Sequence, residues 1–214
     1  MPLRTDDRNA KLATMQPLIL ASASPQRRTL LQGLGISFEV MPSSVDEKSH
    51  PEKADPAVRA QILAREKAND VAAKMPGRWV LGCDTLVVAP DGSILEKPSD
   101  ADDARRMLRL QSGGVSLVHS GLTLISPEGK LFEGCSSSRV HFKKLSFAEV
   151  EWWIQTNQWK DRSGSFQIDG LGQLLIEHLE GDWTGVVGLP VFLFGKLLEQ
   201  AGLGQPPTPS SIVS

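Results

Sequence analysis

The sequence predicts an α/β fold built on a mixed sheet, and three observations support this prediction. Strand-like apolar runs alternate with helix-like segments along most of the chain. The first run, Leu18–Leu20, passes directly into a capped helix. Two later segments, Val115–Ile125 and Leu131–Phe142, alternate like long strands that are joined by the turn at 126–129. Interleaved strands and helices of this kind favour a mixed sheet.

In the first half of the chain, helix starts and apolar runs alternate. The helix after Leu18–Leu20 is expected to stop at Gly33 or Gly35, and Phe38–Met41 is predicted as a second strand. The segment 55–74 begins with Asp-Pro and carries apolar residues along one side, which predicts a helix. The apolar, β-branched segment 79–88 is predicted as a strand broken around Asp84.

In the second half, capping patterns and turns mark the remaining elements. These are a helix begun by Ser99 with Asp102, two long strands, a helix begun by the capping box of Ser146 with Glu149, a glycine-rich loop at 163–172, a strand at 174–179, an acidic turn and a final helix at 190–201.

Length and composition indicate a single globular domain. We expect residues 17–204 to form it, with a flexible N-terminal extension at 1–16 and a disordered, Pro- and Ser-rich tail at 205–214. The net charge of −2 shows no basic excess, so nucleic acid is not expected as a partner. The N-terminus lacks an apolar leader and no apolar run is long enough for a membrane span, which predicts a cytoplasmic protein with no membrane partner.

The metal-binding residue types exclude some chemistries. The chain has two cysteines far apart and four scattered histidines. Neither a disulfide framework nor a zinc site of cysteines or histidines is indicated. Any bound metal is therefore expected to have oxygen ligands.

The segment 18–31 has the features of an anion site. Ser24 is a good N-cap and Pro25 a favoured first helical residue, so the free N–H groups of the helix face the preceding loop. Ser22, Ser24 and the arginines Arg27 and Arg28 can surround an anion there. The alternative is a well-capped turn with solvated arginines.

Carboxylates and lysines elsewhere add to this site. Asp84 interrupts an apolar strand, where a charge is costly to bury without a partner or a metal, although it can also serve as a turn cap. Glu47 lies in a loop after a strand, and Lys97 follows the returning strand. Lys67 lies on a helix, where a lysine is often simply solvated. Carboxylates, a helix-terminal anion site and lone cations suit metal-assisted chemistry on a polyphosphate.

The chain resembles the Maf-like nucleoside triphosphate pyrophosphatases from about Pro17 to Ala201. Seven motifs in order carry the resemblance: Ala21–Arg28, Val45–Glu47, Ala64–Ala68, Gly82–Thr85, Glu96–Pro98, Gly164–Phe166 with Gly170, and Val186–Pro190. The family fold is a mixed α/β structure with two lobes around a deep nucleotide cleft, similar to the inosine triphosphate pyrophosphatases. The resemblance implies hydrolysis of a modified or unwanted nucleoside triphosphate to the monophosphate and pyrophosphate.

The resemblance also implies roles for residues. Asp84 becomes the proton acceptor and a ligand of a divalent metal, Mg²⁺ or Mn²⁺, with Glu47 as a second metal-side carboxylate. Arg27, Lys67 and Lys97 become the cations on the triphosphate of the substrate. The resemblance to the family further implies a homodimer.

Three positions bear on the base. Where the thymidine/uridine triphosphate branch has a glutamine amide, this chain has Asp169, whose acceptor-only carboxylate suits the N1–H and N2–H₂ donors of guanine. At Asp169 and Gln26 the chain resembles the branch that acts on 7-methylguanosine triphosphate, and a tryptophan face in the pocket would also favour the cationic 7-methylguanine base. At Thr85 the chain follows the dTTP/UTP branch instead. We therefore expect 7-methylguanosine triphosphate as substrate, with a dTTP/UTP pyrophosphatase as the alternative. In a third interpretation, Asp169 only caps the turn at Gly170.

Two other classes of function stay open at this stage. The first is a nucleotide-binding regulator of cell division that does not turn over its ligand. The second is a phosphohydrolase that releases orthophosphate. The products distinguish all of these.

Overall fold

The computed structural model describes residues 16–46 and 55–204. The predicted flexible extension at 1–16 lies almost wholly outside this part of the chain, and the predicted tail at 205–214 and Glu47 lie wholly outside it. Within the described ranges the chain forms seven strands: β1 (Leu18–Leu20), β2 (Phe38–Val40), β3 (Val80–Val88), β4 (Ile94–Leu95), β5 (Val115–Ile125), β6 (Leu131–Phe142) and β7 (Ile176–Glu180).

All seven strands belong to one mixed sheet. Its order is β2-β1-β3-β5-β6-β7, with β4 paired to β3. Strand β1 runs parallel to both β2 and β3, and every other pairing is antiparallel. The α/β class and the mixed sheet predicted from the sequence are thus confirmed.

Six α-helices and two short 3₁₀ turns accompany the sheet in the described part of the chain. The helices are α1 (Pro25–Gly33), α2 (Pro56–Lys74), α3 (Ala101–Gln111), α4 (Phe147–Gln155), α5 (Trp183–Val187) and α6 (Val191–Gln200), and the 3₁₀ turns span Ser163–Ser165 and Gly170–Leu175. The predicted caps are present at Ser24, Asp55 and Ser146, the last as a full capping box. None of these helices is both long and apolar enough to cross a membrane.

Several boundaries differ from the sequence prediction. Helix α3 is capped by Asp100, whose carboxylate accepts the N–H of Asp103 at 2.8 Å, and not by Ser99. Strand β3 runs unbroken past Asp84, because strand β5 pairs with it residue by residue from Val80 to Val88. The acidic turn before α6 contains the short helix α5, begun by Asp182.

The hydrophobic core has two main parts, and the long strands cross both. Leu18, Leu31 and Phe194 belong to the part built around β1, α1 and α6. Trp153 and Phe166 belong to the part built around α3 and α4. Strands β3, β5 and β6 contribute side chains to both clusters. The molecule therefore has two lobes on one sheet, as expected, and a cleft opens between them.

Candidate active site

The cleft has a volume of about 570 Å³ and is lined by residues from both lobes. The lining comes from the loop and helix start at 21–27, from strand β3, from the segment 160–169 and from the turn at 186–188, with contributions from Pro42, Ser43, Lys67 and Lys97. Of the described residues that were predicted for the site, all except Arg28 line it: Ser22, Ser24, Gln26, Arg27, Lys67, Asp84, Thr85, Lys97 and Asp169.

An ion pair between Lys67 and Asp84 is buried in the cleft wall. Lys67 Nζ lies 2.5 Å from Asp84 Oδ1, and the side chains are 7% and 5% exposed, respectively. This finding excludes a solvated surface position for Lys67. It also excludes a turn position for Asp84, which lies inside a continuous strand.

Helix α2 reaches this position because two glycines let it approach the sheet. A Cβ at Gly82 would lie 2.2 Å from the carbonyl oxygen of Ala64, and one at Gly121 would lie 2.4 Å from that of Ala60. Gly82 is two residues from Asp84 on the same face of β3, and Gly121 is the residue paired with Asp84 on β5. The glycines therefore bring the helix backbone against the strands on either side of Asp84.

The second carboxylate oxygen of Asp84 fits a divalent cation. Oδ2 is buried and has no hydrogen-bond partner among the described residues. Such an oxygen needs a ligand, and carboxylate oxygen is the donor that Mg²⁺ and Mn²⁺ prefer. Residues 16–46 and 55–204 hold no cluster of three metal-ligating side chains. The predicted second ligand, Glu47, lies outside these ranges.

Arg27 is fixed by three hydrogen bonds along the cleft wall. Its guanidinium donates to Ser22 Oγ at 2.8 Å, to Thr85 Oγ1 at 3.1 Å and to the carbonyl oxygen of Gly188 at 2.8 Å. Thr85 Oγ1 is itself hydrogen-bonded to Ser120 Oγ at 2.9 Å. Thr85, predicted as a specificity position, therefore also orients Arg27.

The helix start at Ser24 has the predicted cap. Ser24 Oγ accepts the N–H of Arg27 at 3.5 Å and donates to Gln26 Oε1 at 3.0 Å. Arg28, in contrast, is exposed, donates to the carbonyl oxygen of Ala23 and does not line the cleft. Of the two arginines expected around an anion, only Arg27 is thus in place.

Lys97 is an exposed cation at the cleft. It makes no ion pair or side-chain hydrogen bond with any described residue. Its neighbour Glu96 is anchored, because the Glu96 carbonyl oxygen accepts the N–H of Gly164 at 3.1 Å. A lysine whose ammonium group is exposed and whose neighbouring backbone is held in place is suited to contact a bound anion.

Asp169 is half-buried at the cleft and does not act as a cap. It occupies the N-cap position of the turn Gly170–Leu175, yet its side chain makes no capping hydrogen bond. The interpretation of Asp169 as a turn cap is therefore wrong. The amide of Gln167 instead donates to the Asp169 carbonyl oxygen at 3.2 Å and to Gln158 Oε1 at 2.9 Å.

No tryptophan lines the cleft, although all five lie within the described residues. Two of them are committed elsewhere, since the indole N–H groups of Trp153 and Trp159 donate to the carbonyl oxygens of Ser165 and Ile154 at 2.7 and 2.9 Å. The tryptophan face that would favour a cationic 7-methylguanine is thus missing from the described cleft.

Two features of the site were not found from the sequence. Arg162 lines the cleft, but it follows Lys160 and Asp161 in a charged run that is typical of a solvated loop. The thiol of Cys83, next to Asp84, is buried, and burial raises its pKa to about 11. A neutral thiol does not act as a nucleophile, so Cys83 offers no covalent chemistry here.

The chain is similar in sequence to known proteins along most of its length. A dTTP/UTP pyrophosphatase from Pyrococcus furiosus is 42% identical over 185 residues, which cover 86% of this chain and 95% of that protein. A dTTP/UTP pyrophosphatase from Deinococcus radiodurans is 41% identical over 190 residues, covering 89% and 95%. A HAM1 protein from Coxiella burnetii is a distant structural neighbour, with 14% identity, a TM-score of 0.41 and coverage of 88% and 97%. The model of the family described as Maf-like protein matches residues 17–201, and the chain belongs to this family.

Proposed function

We propose that this protein is a nucleoside triphosphate pyrophosphatase that converts dTTP and UTP to the monophosphates and pyrophosphate. The observation that carries the proposal is the buried Lys67–Asp84 pair, which lies in a cleft that also presents Arg27 and Lys97. The choice of base is supported by relatives of about 40% identity that are named dTTP/UTP pyrophosphatases.

The chemistry asks for a proton acceptor and for charge neutralisation. Water must attack the α-phosphorus while negative charge accumulates on the departing pyrophosphate. The carboxylate of Asp84, whose Oδ2 has no partner among the described residues, accepts the proton of the attacking water, while Lys67 compensates its charge at Oδ1. Arg27 and Lys97 bind the phosphate oxygens and stabilise the charge of the leaving group.

A divalent metal fits beside Asp84. Asp84, together with Glu47, would hold it through carboxylate oxygens. When bound, Mg²⁺ or Mn²⁺ neutralises phosphate charge and lowers the pKa of bound water. Catalysis is therefore expected to stop on removal of divalent metal with a chelator and to return when Mg²⁺ or Mn²⁺ is added.

The expectation of 7-methylguanosine triphosphate finds no support among these relatives. It depended on Asp169 and Gln26, and on a tryptophan face that the described cleft lacks. Thr85, the residue that pointed to dTTP and UTP, is hydrogen-bonded to Arg27 in the cleft wall. We therefore place the pyrimidine triphosphates first and keep 7-methylguanosine triphosphate as a competing substrate in the assay.

A substrate panel with product analysis tests the proposal. The purified protein is incubated with Mg²⁺ and dTTP, UTP, CTP, GTP or 7-methylguanosine triphosphate, and pyrophosphate and orthophosphate are measured separately. We expect pyrophosphate in a one-to-one ratio with monophosphate, and the highest kcat/KM for dTTP and UTP. The variant Asp84→Asn, purified in parallel, measures any contaminating activity.

Three results would contradict the proposal. Release of orthophosphate would indicate another phosphohydrolase. Tight binding of nucleotide without product would indicate a binding protein, as expected for a regulator. A higher kcat/KM for 7-methylguanosine triphosphate than for dTTP and UTP would assign the protein to the branch of the family that acts on 7-methylguanosine triphosphate.

A further inference from the structure

Arg162 is a further cation of the cleft, beside Arg27, Lys67 and Lys97. It lies on the wall formed by 160–169, where its side chain is half-buried. It makes no side-chain hydrogen bond or ion pair with any described residue. Burial lowers the pKa of its guanidinium, while the nearby carboxylates of Asp169 and Asp161 act in the opposite direction. A partly desolvated guanidinium with open donors is suited to receive a ligand.

The backbone around Arg162 is unusual. Asn157, Asp161 and Ser165 have φ angles of 56°, 58° and 61°, and they are the only non-glycine residues of the described chain with positive φ. Such conformations cost free energy and persist where the surrounding structure determines them, often at functional sites. All three flank Arg162 within a few residues, so its position is set by a strained and specific loop.

Hydrogen bonds with three neighbouring segments hold this loop. The buried Ser165 accepts the indole N–H of Trp153 at its carbonyl oxygen, at 2.7 Å. Gly164 donates its N–H to the Glu96 carbonyl oxygen at 3.1 Å and accepts from Gln111 Nε2 at 2.7 Å. The loop is thus ordered without a ligand, and a contact made by its side chains costs little further ordering.

Asp169 adds a hydrogen-bond acceptor to the cleft, where Arg162 supplies donors. Its carboxylate lines the same cleft and, like Arg162, has no hydrogen-bond partner among the described residues. No guanidinium nitrogen of Arg162 lies within 4.0 Å of a carboxylate oxygen of Asp169. The two groups therefore do not satisfy each other directly. One can only donate hydrogen bonds and the other can only accept them.

We propose that Arg162 and Asp169 together bind the polar edge of uracil or thymine, an inference that rests on the proposed function. That edge presents one donor, N3–H, between two carbonyl acceptors. Asp169 accepts from N3–H, and Arg162 donates to the adjacent carbonyl oxygen O4, which cytosine replaces with an amino group. Cytosine in the same position turns the lone pair of N3 towards the Asp169 carboxylate, which repels it. Arg162 is thus a specificity-determining residue, and the carboxylate at 169 is compatible with a pyrimidine site.

The variant Arg162→Met tests this inference, because methionine keeps the apolar stem and removes all donors. We expect kcat/KM for UTP and dTTP to fall about ten- to a hundredfold and kcat/KM for CTP to change little, since an unmatched polar edge is strongly disfavoured. Lys160→Met removes a neighbouring exposed cation of the same wall and should affect UTP and CTP equally. An equal loss for UTP and CTP in Arg162→Met would make Arg162 a phosphate contact and overturn the proposal.

Binding of the product monophosphates separates this proposal from the proposed function. Calorimetry with UMP and CMP needs no turnover, so it remains informative if no triphosphate is hydrolysed and the proposed function fails. The wild type should prefer UMP, and Arg162→Met should lose that preference. Arg162→Leu, which also lacks a donor, replaces it if the methionine variant does not fold. A wild type without preference for UMP, or a folded variant that keeps the preference, would overturn the assignment.

Discussion

Lys67 and Asp84 form a buried ion pair across the junction of a helix and the central sheet. Lys67 Nζ lies 2.5 Å from Asp84 Oδ1, and Asp84 Oδ2 is left without a partner among the described residues. The pair exists because Gly82 and Gly121 admit the backbone of helix α2. The Asp84 carboxylate is thus placed by the packing of the fold and not by a flexible loop.

Asp84→Asn should abolish turnover and leave the fold intact. The amide keeps the shape of the carboxylate but removes the proton acceptor and one negative charge. We expect kcat to fall by roughly 10²–10⁴, the usual loss for a general base, with an unchanged circular dichroism spectrum. Steady-state pyrophosphate release measures kcat. A variant that retains more than about a tenth of wild-type kcat would remove Asp84 from this role.

Lys67→Met should cost both stability and activity. It leaves the buried Asp84 carboxylate without its compensating charge, and breaking a buried ion pair typically costs about 3–5 kcal/mol. The free energy of unfolding in urea measures this loss. The double variant Lys67→Met, Asp84→Asn removes both charges, so it should regain stability without activity. A double variant as unstable as Lys67→Met would contradict the pair as the cause.

Gly82→Ala should disturb the site through packing alone. The new Cβ would overlap the carbonyl oxygen of Ala64, so helix α2 must move away from the sheet and carry Lys67 with it. We expect a loss of roughly 1–3 kcal/mol in unfolding free energy and a lower kcat.

Gly195→Ala is the matched control for Gly82→Ala. Gly195 lies inside helix α6, and a Cβ there meets nothing within 4 Å. Alanine favours a helix interior over glycine by about 1 kcal/mol, so this variant should be neutral or slightly stabilised. If both variants behaved alike, close approach at Gly82 would not explain the effect.

Much of the fold follows from local sequence, whereas the continuity of strand β3 does not. Helix starts at Ser24, Asp55 and Ser146 are predictable because each cap bonds within three residues of itself. The residues around Asp84 look like a break because glycine and aspartate are poor strand formers. They remain in the strand because β5 pairs with β3 along its whole length, which only the tertiary structure determines.

The residue types of the site were predictable from the sequence, but the burial of these side chains and their interaction partners were not. A helix lysine such as Lys67 is usually solvated, and its burial depends on Gly121, a residue far away in the sequence. Arg162 was not predicted because its loop conformation depends on distant residues: the Trp153 indole donates to the Ser165 carbonyl oxygen, and the Glu96 carbonyl oxygen accepts the N–H of Gly164. Long-range contacts of this kind leave no local periodicity in the sequence.

Arg27→Ala and Lys97→Ala should both lower kcat but differ in stability. Both cations are expected to stabilise charge on the leaving pyrophosphate, so kcat should fall more than KM rises. Arg27 also bonds to Ser22, Thr85 and Gly188, and its loss should lower the melting temperature, whereas exposed Lys97 should not affect it. Arg28→Ala is the control for Arg27. A rise in KM with unchanged kcat would make these residues uniform binders.

Glu133→Gln should weaken the protein in a pH-dependent way. Burial raises the pKa of Glu133, but the hydrogen bonds from Arg65, Thr123 and Gln61, with the charge of Arg65, together lower it by more. The pKa therefore lies below the ordinary value of 4.5. A depressed pKa adds stability above the ordinary value, and this stability is lost as pH falls through the folded-state value. These bonds tie helix α2 to strands β5 and β6, so the effect also bears on the position of Lys67.

Urea unfolding of the wild type and Glu133→Gln between pH 7 and pH 3 measures this contribution. At pH 7 the variant should be less stable by roughly 1–2 kcal/mol, the usual loss for a hydrogen-bonded charged group. The difference in unfolding free energy should shrink as pH falls below about 4.5, since the wild-type carboxylate then becomes protonated and is neutral like the glutamine amide. Glu177→Gln, at an exposed position of β7, should show no such difference at any pH. A constant difference between wild type and Glu133→Gln would mean that packing of the side chain, and not its charge, stabilises the contact between α2 and the sheet.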